Sequence, residues 1–403
     1  MTINRTVMMV QQGARRDYVY ARQLEEAGLL HSLICDAAWS ERTGRMLVGA
    51  ANSIVSNSIL GKIRRRTIKG VASNRIIASI APNMAGLSKS FLCQELTSNV
   101  TEEILALRRR WYNFKDVKVI VNYFGNGGSL LDRAKKQGVR IVTDFISNPL
   151  HWRIVEAERA RWPHWEADYR TTSDRSIYEA RVERLLILSD VYLCPSQAVA
   201  EGLAHFKGFV SSRVRVVPYG YSGSNICPAS ALPGRVLFAA STVTVAKGLP
   251  YLANAATMLR STGHKVDIVV AGSVAESIRK SPEVRDLTFL GSLDQKAMAR
   301  EFSKADLYCL PSLAEGSATS IFEAMAHGLP IVTTASAGSV IDHGVEGFII
   351  PERSSEEIVK AIGKIVSNRN LRTQMSLAAH TTALRFNATA CGAPFIDVVR
   401  ELI

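Results

Sequence analysis

Short β-branched runs alternate with helical patterns along this chain, stop at a turn-rich break, and then begin again. This doubled rhythm limits the fold more than any other feature. Residues 5–12, 29–36, 117–124 and 139–145 read as strands, with helices expected near 17–27 and from Ser129. The charged stretch 152–188 reads as helical and leads into further strands at 190–194 and 213–217. Strands spaced by helical patterns form βαβ units, which need a parallel sheet with helices on its faces. Residues 218–228 then hold two prolines and two glycines among eleven positions, the composition of a linker. Beyond them the alternation restarts, with strands expected at 236–239, 266–271, 287–290, 307–310 and 331–333 and helices from Lys247, Gln295 and about Thr319. Ser354 and Glu357 ahead of Ile358 form a capping-box pattern that opens another helix. Two α/β domains are therefore expected, 1–218 and 230–385, each a doubly wound parallel sheet. Residues 37–100 read as helical or irregular with no order assignable.

Bulk properties agree with this. A chain of 403 residues is long enough for two cores, and 47% hydrophobic with 21% charged residues is ordinary globular usage. The six cysteines lie far apart with no CxxC pair, which argues against disulfides and against a zinc site. The apolar run at 7–10 is much shorter than a secretory core, and no stretch reaches the roughly 18 apolar residues of a spanning helix, so a cytoplasmic protein is expected. Charge is the unusual property: 49 Lys and Arg against 36 Asp and Glu leave +13. The excess is dense at Lys62, Arg64, Arg65, Arg66, Lys69 and Arg75 and again at Arg108, Arg109 and Arg110 beside Trp111. Such clusters form either a solvated basic face or a surface for anionic lipid headgroups or a phosphate-bearing acceptor.

The stretch 305–330 carries the chemistry. A buried strand delivers the chain to a loop at its carboxyl end, where open α/β sheets bind ligands. Gly316 allows close backbone approach there, Ser317 and Ala318 keep the entrance of the next helix uncrowded, and free N–H groups at that entrance favour a phosphate. Glu315 precedes the helix and Glu323 lies about one turn inside it, so the two carboxylates bracket the entrance at different heights. Carboxylates accepting from paired hydroxyls suit a ribose or a sugar ring. The plain alternative for either glutamate alone is a solvent-facing position on an amphipathic helix.

Glu315 and Glu323 in this setting resemble the E-x7-E signature of the family 4 glycosyltransferases, and the resemblance extends over most of 235–365. It implies the GT-B fold, two Rossmann-like domains facing a cleft, with a last helix within 386–403 returning to the first domain. It also implies a retaining transfer from a nucleotide-sugar donor, with no metal and no other cofactor. By resemblance Lys247 would pair with the donor diphosphate, Glu323 would hold the ribose hydroxyls, and Glu315 the donor sugar. The backbone near Leu290 and Leu293 would meet the base, and the N–H groups of Gly316, Ser317 and Ala318 would face sugar and phosphate oxygens. In the N-terminal half the match is looser: residues 12–14, with Gly13, look like the family's first glycine loop. The family's usual arginine five residues before the lysine is replaced here by Thr242. Either hydroxyl and N–H groups at 241–242 suffice, or Arg15 or Arg16 reaches across, or activity is weakened. His151, following the strand 139–145, is the candidate acceptor-side catalytic residue, against a reading in which it caps a helix; Asp144 is the second choice.

Other classes fit less well. Gly125, Gly127 and Gly128 after a strand, with Asp144 nineteen residues on, invite a dinucleotide site, but Leu130 stands where the third glycine is needed. No D-x-D triplet occurs; Glu166 and Asp168, in a stretch read as helical, come nearest. Two rivals remain: another GT-B enzyme such as an epimerase or phosphorylase, and a catalytically silent sugar-nucleotide-binding protein. No nucleic-acid motif is present. The expected partners are a nucleotide-sugar donor, a glycan or lipid-linked acceptor of polysaccharide synthesis, and an anionic membrane surface, with the enzyme peripheral on the cytoplasmic face of the inner membrane.

Overall fold

The computed structural model describes residues 5–11, 15–35, 38–51, 64, 66–78, 114–124, 128–166, 172–221, 231–387 and 390–403. In the N-terminal half the strands are β1 (Val7–Gln11), β2 (Leu30–Cys35), β5 (Ile76–Ala78), β6 (Val119–Tyr123), β7 (Arg140–Asp144), β8 (Val191–Cys194) and β9 (Val214–Val216). They form one parallel sheet in the order β5-β2-β1-β6-β7-β8-β9, with β3 (Trp39–Ser40) and β4 (Thr67–Ile68) paired separately. The C-terminal half contributes β10 (Arg235–Val243), β11 (Asp267–Val274), β12 (Leu287–Gly291), β13 (Leu307–Leu310), β14 (Ile331–Thr333) and β15 (Gly347–Ile349). Their order is β12-β11-β10-β13-β14-β15, again all parallel. Both sheets run outward in two directions from their first strand, which is the doubly wound arrangement.

The central strands are apolar on both faces because helices cover both. Every residue of β1 and β6 is buried, as is every residue of β13. Full burial of one such aliphatic side chain is worth about 1.5–3 kcal/mol relative to exposure. One hydrophobic cluster fills each face of the first sheet, and a third surrounds the second sheet. The last helix, Gly392–Arg400, packs on the first helix, Val19–Glu26: Tyr20 and Phe395 stack at 4.0 Å, and Phe395 and Val399 are fully buried.

Where the chain crosses between halves, the two crossings meet. Tyr221 N–H donates to the Phe386 carbonyl at 3.1 Å, and Tyr219 donates its hydroxyl to the buried carboxylate of Asp144 at 3.1 Å. Arg16 lies over the Tyr219 ring at 3.9 Å and the Tyr20 ring at 4.7 Å. One segment of the first half belongs physically to the second. Past the helix His151–Arg161, Trp165 is buried in the C-terminal core, and Trp162 packs edge-on against Tyr251 at 5.8 Å. The fully buried Glu158 accepts from the Tyr251 hydroxyl and from Arg353 Nε, each at 2.6 Å.

Several elements differ from the sequence expectations. Lys247 does not open a helix. It ends a 3-10 turn, Val245–Lys247, and Gly248 then turns at φ 73° before the helix Leu249–Ser261 begins. A Cβ on Gly248 would sit 2.0 Å from the Pro311 carbonyl, so glycine is required both for the dihedral and for the close approach. Strands β5 and β15 lie in stretches where none was expected. Glu166 lies in a turn beyond the helix His151–Arg161 rather than in it, and Asp168 is outside the described residues. At Ser354 the hydroxyl caps Glu357 N–H at 3.2 Å, while the Glu357 carboxylate turns to Lys360 instead of completing the box.

Candidate active site

The carboxyl ends of β10 and β13, neighbours at the point where the strand order reverses, open onto a cavity of about 560 Å³. The turn after β10 supplies Lys247 and the loop after β13 supplies Glu315; Glu323 comes from the helix Thr319–Ala326. The two loops are docked to each other by the Leu313 N–H bond to the Ala246 carbonyl, at 2.8 Å. Lys247 Nζ donates to Glu315 Oε1, which also accepts from Ser312 Oγ at 2.9 Å. The ammonium is thus held at the cavity wall by a carboxylate that is itself fixed, and both side chains are mostly shielded, at 25% and 16% exposure.

Glu323 behaves differently. It faces the same cavity but forms no hydrogen bond with any described residue, and burial holds its carboxyl above the usual carboxylate range. The nearby Tyr308 hydroxyl spends its proton elsewhere, lying 2.9 Å from the Ala239 carbonyl and 2.8 Å from Ser320 Oγ. Ser317 Oγ is buried in the cavity lining with no hydrogen-bond partner among the described residues. A buried hydroxyl and a half-buried carboxylate with no partner among the described residues cost free energy unless a ligand completes them. This combination is suited to a polyhydroxylated, charged ligand.

Of the sequence-derived candidates, the cavity gathers Lys247, Leu293, Glu315, Ser317, Ala318 and Glu323. Thr242 does not line it: that residue is exposed on β10 in register with Ser273, and its neighbour Ser241 faces the cavity instead. Leu290 also lies outside the lining, while Ser292 is in it. The backbone expectation needs correction at two residues. Ala318 N–H already donates to the Ala337 carbonyl at 3.0 Å, so it is not offered to a ligand, whereas no described group accepts from Gly316 or Ser317 N–H. Gly316 makes its close approach to protein: a Cβ there would lie 1.9 Å from the Ile146 carbonyl. Gly13 lies outside the described residues. Arg16 is committed to the tyrosine cluster under the linker, and the side chain of Arg15 lies outside the described residues.

The first half closes over this loop. Asn148 N–H donates to the Glu315 carbonyl at 3.2 Å, and Ser196 Oγ donates to the Gly316 carbonyl at 2.6 Å. His151 is the first residue of its helix, three residues past Asn148, with its N–H bonded to the Asn148 carbonyl at 3.0 Å. It is therefore carried by a turn tied directly to Glu315. Asp144 is fully buried, with both oxygens facing the Tyr219 hydroxyl, which fixes the linker rather than lining the cavity. Sequence reasoning missed Asn148, Ser196 and Phe302, because each joins the site through contacts remote along the chain; of the pair 241–242 named as a stand-in for the arginine, Ser241 is the one that lines the cavity. Among the described residues no group of three His, Cys, Asp or Glu side chains is arranged to hold a metal ion, and no helix is long and apolar enough to cross a membrane.

Comparison with known proteins adds to this geometry. Residues 233–368 match the family described as glycosyl transferases group 1. A similar curated protein is the amylovoran biosynthesis glycosyltransferase AmsK of Erwinia amylovora, 29% identical over 140 residues, 31% of this chain and 34% of AmsK. The chain spans less than half the length of the curated relatives it matches first. Among solved structures, sucrose-phosphate synthase from Thermosynechococcus elongatus superposes with a TM-score of 0.68 at 15% identity, covering 99% of both chains. HepE from Anabaena in complex with UDP-glucose gives 0.61 at 12% identity, covering 98% of this chain and 100% of the other. The fold is that of these GT-B proteins, with both sheets and the returning last helix present in one chain.

Proposed function

We propose that this chain, whose residues 233–368 carry a domain of the glycosyl transferases group 1 family, is a retaining, metal-independent glycosyltransferase that uses a nucleotide-sugar donor. The observation that carries the reading is the convergence of Lys247, Glu315, Glu323 and the unpartnered Ser317 hydroxyl on one cavity at the strand-order switch. Glu323 accepts from the ribose hydroxyls, and its raised, unpartnered carboxyl is completed by them. Lys247 moves from a single partner, Glu315, to a shared position between that carboxylate and the donor diphosphate. There it stabilises the charge that develops on the leaving group, together with the Gly316 and Ser317 N–H groups. Glu315 meets the donor sugar beside the departing oxygen. In a retaining transfer the acceptor hydroxyl enters on the face the phosphate leaves, so the departing phosphate oxygen takes the acceptor proton. His151, on the turn bonded to Glu315, orients the acceptor.

The acceptor is a glycan or a lipid-linked intermediate of polysaccharide synthesis. The similarity to a glycosyltransferase of amylovoran biosynthesis supports this. The basic excess of the N-terminal half supports a position on the cytoplasmic face of an anionic membrane. Of its residues, Lys62, Arg65 and 108–111 lie outside the described residues, while Arg75 is engaged with Glu25 and the His31 carbonyl.

The test is a panel of uridine, guanosine and adenosine diphosphate sugars with a chelator present. Slow release of one nucleoside diphosphate is expected, and its abolition in Glu323→Ala and Lys247→Ala. Binding without turnover of any donor would instead identify a silent sugar-nucleotide-binding protein, and dependence on added divalent ions would remove metal independence. Flotation with anionic vesicles at low salt tests the membrane position, and absence of binding would remove it.

A further inference from the structure

The turn that carries Lys247 is held from a distant part of the chain. Val245 opens this turn fully buried, and the residue before it, Thr244, supplies no side-chain cap. The first N–H of a helical turn has no partner within the turn, and in a buried place it needs an acceptor. That acceptor is Glu166. One of its oxygens accepts from Val245 N–H at 2.5 Å, and the other accepts from Arg159 Nε at 3.2 Å. The pair is shielded, with Glu166 at 8% and Arg159 at 15% exposure. Its support is rigid as well: Trp165 is buried in the C-terminal core, and its carbonyl accepts from Ser277 Oγ at 2.8 Å.

We propose that Glu166 is a positioning residue for Lys247, fixing through Val245 the turn that aims the ammonium into the cavity. This rests on the glycosyltransferase reading for its chemical consequence. The carboxylate sits at the amino end of the turn, where negative charge is favoured. Because Arg159 already neutralises it, Glu166 does not compete with Glu315 or a diphosphate for Lys247. The helix His151–Arg161 and the turn after it therefore connect the acceptor-side histidine at one end to the donor-side lysine at the other.

The experiment compares Glu166→Ala, Glu166→Gln, Lys247→Ala and the double variant Glu166→Ala with Lys247→Ala. Calorimetric titration with uridine, guanosine and adenosine diphosphates and donor hydrolysis are the readouts. Glu166→Ala lowers hydrolysis ~10–100-fold, the scale of a charged group displaced by about 1 Å. Glu166→Gln, which keeps an acceptor oxygen, recovers most of it. In the Lys247→Ala background the added Glu166→Ala changes binding and hydrolysis by no more than about twofold. A full further loss in that background would overturn the proposal, since Glu166 would then act through general stability. Equal activity of Glu166→Ala and wild type would overturn it too. If the wild type binds none of the three diphosphates, the glycosyltransferase reading fails, and amide hydrogen exchange decides the positioning role. Loss of protection confined to 245–248 in Glu166→Ala supports it; unchanged protection there overturns it.

Discussion

Replacing Glu323 by glutamine should make the protein more stable and less functional at once. The carboxyl is half-buried at the cavity wall, no described residue hydrogen-bonds to it, and its partial burial raises its pKa. Ionising this group therefore costs more in the folded state than in water, which opposes folding. Glutamine keeps shape and volume and removes the charge, a change expected to stabilise by about 1–2 kcal/mol. For a unit of 150–250 residues that corresponds to ~2–8 °C in Tm. The pH dependence has a definite sign. An acid whose folded pKa lies above its unfolded value binds more protons when folded, so wild-type stability falls as pH rises through the interval between the two. The variant has no such loss. Thermal melts at pH 7.5 and 5.0 should show Glu323→Gln ahead at the higher pH and the gap narrowing at the lower. Calorimetry should show nucleoside diphosphate affinity reduced about 10–100-fold, because hydrogen bonds to a charged acceptor are lost. A variant less stable than wild type at pH 7.5, or a gap that does not narrow, would refute the claim that this carboxylate is shielded at the cavity wall without a partner among the described residues.

Three further changes probe the surroundings. Gly316→Ala places a methyl group 1.9 Å from the Ile146 carbonyl, so the two halves must separate at this contact; steady-state kinetics should show a large loss of transfer with Tm changed by only a few degrees. Asp144→Asn removes the charge beside Tyr219 and the Arg16 cluster, and breaking a buried charged group's environment costs about 3 kcal/mol, read as a lower denaturant midpoint. Glu158→Ala strips Arg353 and Tyr251 of a shared buried acceptor, which should lower Tm and expose the Trp162 and Trp165 pair, seen as a shift in tryptophan fluorescence.

What the sequence made legible follows the range of the interactions involved. The two βαβ series and the loop and helix carrying Glu315 and Glu323 are local patterns, and a local reading finds them. For Lys247 the local pattern points to a helix start, whereas the positive φ of Gly248 that splits turn from helix answers to Pro311, far along the chain. A glycine at 316 suggests close approach to a ligand, but its neighbour is Ile146, in the other sheet's loop. The Ala318 N–H, expected to face sugar and phosphate oxygens, is taken by the carbonyl of Ala337. Asn148, Ser196 and Glu166 carried no motif; their importance comes from single hydrogen bonds to the backbone of the donor-side loops, which no spacing rule encodes.

If one lysine and two glutamates at the strand-order switch grip a sugar diphosphate, isothermal titration of wild type and Lys247→Ala with nucleotide sugars in the presence of a chelator will separate the two proteins. One donor should bind the wild type with unit stoichiometry and lose about 10-fold or more in affinity for the variant, as for removal of a charged hydrogen-bond donor. Equal affinity in the two proteins would contradict it.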